Sequence, residues 1–279
     1  MIPARPSFGA QLAAAQAAHG SMLCVGLDPE PARFPAPWRD DPARLFDFCA
    51  AIVEATRDQV CAYKPQIAYF AAHRGEDQLE RLIAHIHATA PGVPVILDAK
   101  RGDIGATAEQ YAREAFERYR ADAVTLSPFM GLDSIEPYMA YPGKSLILLC
   151  RTSNPGGDDL QAQRLEGGER LYERVARLAA GPWNRTGQLG LVVGGTYPAE
   201  LSRVRALAPT LPLLIPGIGA QGGDIAATVQ AGWRPDGPIV VSSSRAVLYA
   251  GTAGDGAGFA EAARAVAAAT RAALQSARR

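Results

Sequence analysis

Eight short runs of apolar, β-prone residues alternate with amphipathic helical segments along almost the whole of this 279-residue chain. The runs cover residues 22–27, 61–64, 93–98, 123–126, 145–150, 190–193, 213–215 and 239–242. Between them, the spacing of apolar positions predicts helices over 42–58, 77–89, 104–119, 169–180, 199–207 and 224–231, with an Ala-rich helix over 258–277. A strand followed by a helix and another strand returns the chain to the same direction, which builds a parallel sheet. The runs are mostly continuous apolar stretches, as expected when both faces of that sheet are covered. Eight such units predict a (β/α)8 TIM barrel with eight parallel strands, one domain over residues 1–279; an open doubly wound sheet is the alternative. An extra helix over 7–20, capped by Ser7 and ended by Gly20, precedes the first strand.

Composition narrows the function classes. Hydrophobic residues at 48% and charged residues at 20% suffice for a large core. Basic and acidic residues balance at 28 each, so no overall field draws the chain to nucleic acid or to an anionic membrane. No apolar run approaches the ~18 residues of a membrane span. The N-terminal stretch has no basic segment followed by a Leu-type core, so no secretory signal is expected. Cys24, Cys49, Cys61 and Cys150 form no CxxC pair, and reduced, buried thiols in a cytoplasmic protein are the expectation. His19, His73, His85 and His87 fall in helices or loops away from the strand ends, so no metal site is expected.

In such a barrel, polar residues at the C-terminal ends of the strands converge on one mouth and carry the function. Here the first strand ends in Gly26-Leu27-Asp28-Pro29, the second in Tyr63-Lys64-Pro65-Gln66, and the third in Asp98-Ala99-Lys100-Arg101-Gly102-Asp103. The chain has three lysines, Lys64, Lys100 and Lys144, and two of them sit at these ends beside aspartates. Structural ion pairs closing the barrel top would be the plain explanation, but buried pairs add little net stability. Period two places Asp98 and Lys100 on one side of the third strand. After the seventh strand comes Pro216-Gly217-Ile218-Gly219-Ala220-Gln221-Gly222-Gly223-Asp224, and after the eighth Ser242-Ser243-Ser244-Arg245. Loops after these two strands are the usual phosphate site of the barrel, with glycines for close backbone approach and Arg245 as a charged fork. The Gly-rich segment 151–168 is long for a compact domain, and a lid or binding loop is expected there.

The segments LCVGLDP, AYKPQIAYF, LDAKRGDIGATAEQYA, TSNPGG, PGIGAQGGD and SSSRAVLYA together resemble the orotidine 5′-phosphate decarboxylase family, in its longer bacterial subgroup. The resemblance spans residues 23–249. It implies cofactor-independent and metal-independent decarboxylation of orotidine 5′-phosphate to UMP, the last step of de novo pyrimidine nucleotide synthesis, by a homodimer with shared active sites. Lys64, Asp98, Lys100 and Asp103 would form the charged array at the reacting carbon, with Asp103 supplied by the other subunit and Lys100 protonating C6. Asp28 would hold a ribose hydroxyl, and Ser153 the pyrimidine. Gln221, Ser244 and Arg245 would grip the phosphate, Pro216 joins the substrate-binding set, and Ile104 and Thr107 would line the partner's site. The magnesium-dependent relatives that act on keto-sugar phosphates carry a metal-binding glutamate where this chain has Lys64. A lyase using Lys100 as a Schiff base and a sugar-phosphate-binding protein with a dead site are the rivals; flanking aspartates oppose the first, since such lysines are neutral.

Overall fold

The computed structural model describes residues 5–217, 224–252 and 258–278. Eight parallel strands form one sheet: β1 (Leu23–Leu27), β2 (Ala62–Pro65), β3 (Ile96–Arg101), β4 (Ala123–Leu126), β5 (Ser145–Arg151), β6 (Leu189–Val193), β7 (Leu213–Ile215) and β8 (Ile239–Ser243). Their order is β2-β1-β8-β7-β6-β5-β4-β3, and parallel bridges Tyr63–Val95 and Gln66–Asp98 bring β2 against β3 to close the barrel. That seam is thin because Pro65 and Pro94 flank it and neither has an N–H to donate. Every residue of β1, β2, β4, β6, β7 and β8 is buried, the condition their mostly apolar runs imply.

The helices are α1 (Phe8–His19), α2 (Leu45–Thr56), α3 (Ile67–Ala71), α4 (Glu76–Thr89), α5 (Gly105–Arg113), α6 (Leu171–Ala180), α7 (Pro198–Leu207), α8 (Ile225–Gly232), α9 (Arg245–Leu248) and α10 (Phe259–Ala277). Their positions follow the sequence reading, except that the short helices α3 and α9 were not expected. The segment expected as one helix over 104–119 changes to π-helical winding over Glu114–Arg118. The crossover from β4 to β5, where no helix was expected, uses the 3-10 turns Leu132–Ser134 and Glu136–Ala140. β3 begins three residues later than expected and runs through Lys100 to Arg101, because the Pro94 end gives way and the bulge described below lengthens the other end.

The N-terminal helix α1 is capped as expected, with Ser7 Oγ accepting from Ala10 N and Gly20 in the left-handed region at φ 54°. It closes the N-terminal end of the barrel. Gln16 donates to the Ile239 carbonyl at 2.8 Å, and His19 Nδ1 lies 2.7 Å from the Val60 carbonyl oxygen. Just before β4, buried Asp122 accepts from Arg5 Nε at 3.1 Å, Gln11 Nε2 at 3.2 Å and Val95 N at 3.0 Å, with His87 Nε2 at 3.2 Å. Arg205, also buried, donates to the carbonyls of Ala208, Pro209, Leu211, Gly232, Gly237 and Pro238, tying the entries of β7 and β8. The four cysteines are free and buried. Among the described residues no helix is long and apolar enough to cross a membrane.

Removing the Asp122 carboxylate strands Arg5 and His87 against the barrel end together with a main-chain N–H. Asp122→Ala is expected to lower the unfolding free energy by about 3 to 5 kcal/mol, measured by equilibrium urea unfolding. A loss under about 1 kcal/mol would show that the cluster relaxes without its anion.

Candidate active site

The C-terminal ends of all eight strands surround a cavity of about 300 Å³. β1 brings Asp28, β2 brings Lys64 and Gln66, β3 brings Asp98 and Lys100, and β4 brings Thr125. Ser153 enters after β5, Val192 lies on β6, Leu214, Pro216 and Gly217 come from β7, and Ser242 to Ala246 from β8 and the turn into α9. One wall is therefore charged and the opposite one apolar.

Asp98 is the centre of the charged wall. Lys64 Nζ donates to its Oδ2 at 2.8 Å, Lys100 Nζ to its Oδ1 at 2.6 Å, and Thr125 Oγ1 to Oδ1 at 2.9 Å. Asp98 and Lys64 are each 7% exposed, whereas 46% of the Lys100 side chain is open to the cavity. Burial by itself raises the Asp98 pKa, but Lys64 and then Lys100 outweigh it and hold the carboxyl well below the usual carboxylate range. Burial likewise works against the Lys64 ammonium; Asp98 and then Asp28 more than restore it, leaving its pKa above the ordinary value. The site therefore holds Asp98 as an anion and Lys64 as its paired cation throughout the neutral range.

Period two is not what aims Asp98 and Lys100 at one place. Leu97 pairs with Val124 and Arg101 with Leu126, so four steps along β3 match two along β4. This bulge throws residues 98–100 off the ladder, and Lys100 adopts a left-handed backbone at φ 45°. Such a conformation costs a non-glycine residue on the order of 1 kcal/mol.

Asp28 and Ser244 meet at the adjoining ends of β1 and β8, the Ser244 hydroxyl donating to Asp28 Oδ2. Asp28 lines the cavity, and its Oδ1 is buried with no hydrogen-bond partner among the described residues. A Cβ on Gly26 would lie 2.9 Å from the Ser244 Cβ, which is why this strand end takes glycine. Arg245 is exposed at the rim and makes no ion pair among the described residues. Gln221 lies outside the described residues. Asp103, Ile104 and Thr107 do not enter the cavity of their own chain: Asp103 Oδ1 accepts from Ile104 N at 2.9 Å, and Ile104 is 49% exposed.

Of the segment 151–168, Ser153 alone lines the cavity. Arg151, 1% exposed, anchors the rest: it pairs with Glu200 and Asp158 and stacks on the Tyr197 ring with its guanidinium carbon 4.5 Å from the centroid. Gly157 packs so closely that a Cβ there would come within 2.5 Å of Arg151 Nη1. Thr125, Gln66 and Tyr69 are cavity residues to which the sequence reading assigned no role. Thr125 had one signal, a hydroxyl inside the otherwise apolar run Ala123–Leu126. No group of three or more His, Cys, Asp or Glu side chains among the described residues is placed to hold a metal ion.

Residues 21–255 match the family model described as orotidine 5′-phosphate decarboxylase / HUMPS family. The chain is 71% identical over 280 residues to the orotidine 5′-phosphate decarboxylase of Methylibium petroleiphilum, covering 98% of this chain and 100% of that protein. It is 71% identical over 275 residues to that of Paracidovorax citrulli, covering 98% and 99%. Its fold superposes on the structure of Leishmania donovani OMP decarboxylase with a TM-score of 0.84 at 40% identity, over 98% of each chain.

The Asp98 shift has a consequence for stability. Its folded pKa is depressed, so its contribution is full above the unfolded value near 3.9 and is lost as pH falls through the folded value. Between about pH 4 and pH 3, wild-type stability is expected to fall more steeply than that of Asp98→Asn, by up to about 1.4 kcal/mol per pH unit. Urea unfolding of both proteins from pH 6 down to pH 3 measures this; a constant difference would mean Asp98 is not held ionised by the fold.

Proposed function

Because the chain belongs to the orotidine 5′-phosphate decarboxylase / HUMPS family, we propose that it is a carboxy-lyase converting orotidine 5′-phosphate to UMP and CO₂, the last step of de novo pyrimidine nucleotide synthesis. The observation that carries the reading within this family is the Lys64–Asp98–Lys100 array, with Lys64 and Asp98 buried and Lys100 open to the cavity. Lys64 stands where the metal-dependent sugar-phosphate relatives need a glutamate, and its ammonium cannot ligate a cation.

Loss of CO₂ from C6 leaves an electron pair in the ring plane with no π system to accept it. The barrier asks for help on the order of 20 kcal/mol. Lys100 supplies a preorganised positive charge at the place where this pair develops, and then the proton that ends at C6. Lys64 holds Asp98 ionised against the departing carboxylate, so negative charge is relieved as CO₂ leaves. Pro216 and Ser153 bracket the base, the Asp28 carboxylate accepts from a ribose hydroxyl, and Arg245 and the Ser244 main chain take the phosphate, with Gln221 assigned to the same phosphate by the family resemblance. Phosphate contacts far from C6 then contribute binding energy to holding the reactive complex.

Our reading completes the site with Asp103, Ile104 and Thr107 of a second subunit in a homodimer. Support comes from their outward placement after β3, next to Phe129 at 76% and Met130 at 46% exposure after the neighbouring β4. The four free, buried cysteines fit a reducing, cytoplasmic setting.

Purified protein is expected to consume orotidine 5′-phosphate, followed by loss of its ultraviolet absorbance, and to keep its rate after exhaustive EDTA treatment. No turnover, or turnover abolished by EDTA and restored by a divalent ion, would overturn the reading. Sharing of sites has its own test. Lys100→Ala and Asp103→Asn are each expected to be nearly inactive, but mixed and re-equilibrated they form heterodimers with one intact site of two, returning about a quarter of native activity. Heterodimers that form and stay inactive would confine Asp103 to its own subunit.

A further inference from the structure

The bulge in β3 leaves two main-chain donors without a place in the ladder, and one side chain takes both. Thr125 Oγ1 accepts from Ala99 N and from Lys100 N, each at 3.0 Å, and donates its own proton to Asp98 Oδ1 at 2.9 Å. Those three bonds use the full capacity of a hydroxyl, one donor and two acceptor lone pairs. They also reach three successive residues of one strand, the ones that carry the charges of the site. Thr125 is 1% exposed and sits on β4, whose neighbours Val124 and Leu126 carry the ladder pairs that bound the bulge on either side.

We propose that Thr125 is a positioning residue for decarboxylation, a hydroxyl that holds the left-handed backbone of Lys100 and the rotamer of Asp98 together so that the ammonium faces C6. The proposal rests on the decarboxylase reading above. The Lys100 side chain is nearly half exposed and long, and its ammonium bonds Asp98 at the same oxygen that Thr125 grips. An uncorrected bulge would let φ at Lys100 relax out of the left-handed region and swing the side chain by more than the width of a hydrogen bond. No other side chain among the described residues donates to or accepts from the main chain of 98–100. A valine has the shape of threonine with no oxygen, so it would leave the part-buried Ala99 and Lys100 N–H groups without this acceptor, and local rearrangement would follow. Thr125 itself exchanges no proton with the reacting atoms, and its effect passes through Lys100.

The test compares variants that differ by that oxygen. In Thr125→Val, kcat is expected to fall about tenfold to a hundredfold, the range for a reacting group displaced by about an ångström. The Kd for UMP by calorimetry is expected to stay within about threefold of wild type, because the phosphate, ribose and base contacts lie on other strands. Thr125→Ser, which keeps the hydroxyl and loses the methyl, should return kcat to within about threefold of wild type. A crystal structure of Thr125→Val should show Lys100 out of the left-handed region, a readout that needs no turnover. If Thr125→Val does not fold, Thr125→Ala against Thr125→Ser isolates the same oxygen. The inference is overturned if the hydroxyl-free variant keeps native kcat, if serine is as slow as valine, if UMP affinity falls in parallel with kcat, or if Lys100 keeps its conformation. Absence of turnover in the wild-type control would instead strike the decarboxylase reading, and the Lys100 conformation would still decide the role of Thr125.

Discussion

A carboxylate buried between two ammonium groups is the interaction on which the rest of this molecule is arranged. Asp98 sits at the bottom of the barrel mouth with Lys64 on one oxygen and Lys100 and Thr125 on the other. Taking such an ion out of water costs several kcal/mol, and removing one partner would leave a charge with no compensation. The partners must therefore come from separate rigid elements that meet at a fixed distance. Parallel strands with their ends in register provide that: β2 carries Lys64, β3 carries Asp98 and Lys100, and β4 carries Thr125. The strained backbone at Lys100 is tolerated because these neighbours over-determine it.

The two ends of the barrel divide the work. At the N-terminal end, Asp122 and Arg205 gather main-chain and side-chain partners that would otherwise be buried without bonds, and α1 covers the opening. Those contacts serve stability, as expected for that face. At the C-terminal end the polar groups are left deliberately short of partners. Among the described residues Asp28 Oδ1 has no partner and Arg245 no carboxylate, and Lys100 is nearly half exposed. A ligand with hydroxyls, an anionic tail and a carboxylate would satisfy these groups in turn.

The Gly-rich segment after β5 shows how one buried cation can tame a long loop. Arg151 draws Asp158 from the loop and Glu200 from α7 onto one guanidinium, and Gly157 alone could fit against it. Thr152 and Gln161 close the base of the segment by exchanging hydrogen bonds. What remains for the cavity is Ser153, pressed against Gly194, where a Cβ would lie 2.9 Å from the Ser153 Cα. The segment is thus a fixed wall carrying one hydroxyl.

Residue pattern alone was enough for the barrel, because a buried parallel sheet demands unbroken apolar strands and its crossovers demand amphipathic helices, both local properties of a chain. It was also enough to nominate Asp28, Lys64, Asp98 and Lys100, since each stands at or just beyond a strand end, whereas Ser153 came from the family resemblance alone. Three things were decided only in three dimensions. β3 carries two extra residues against β4, a count that depends on the register between strands and not on either strand's own sequence. Thr125 is one polar residue in an apolar run, and only folding sets its hydroxyl beneath the bulge. The outward turn of Asp103, Ile104 and Thr107 also came from packing, because Gly102 lies against Ser127, where a Cβ would be 3.2 Å from the serine Cβ. Periodicity states which face of an element is apolar; distances between side chains on different strands are settled only when the sheet closes and each register is chosen.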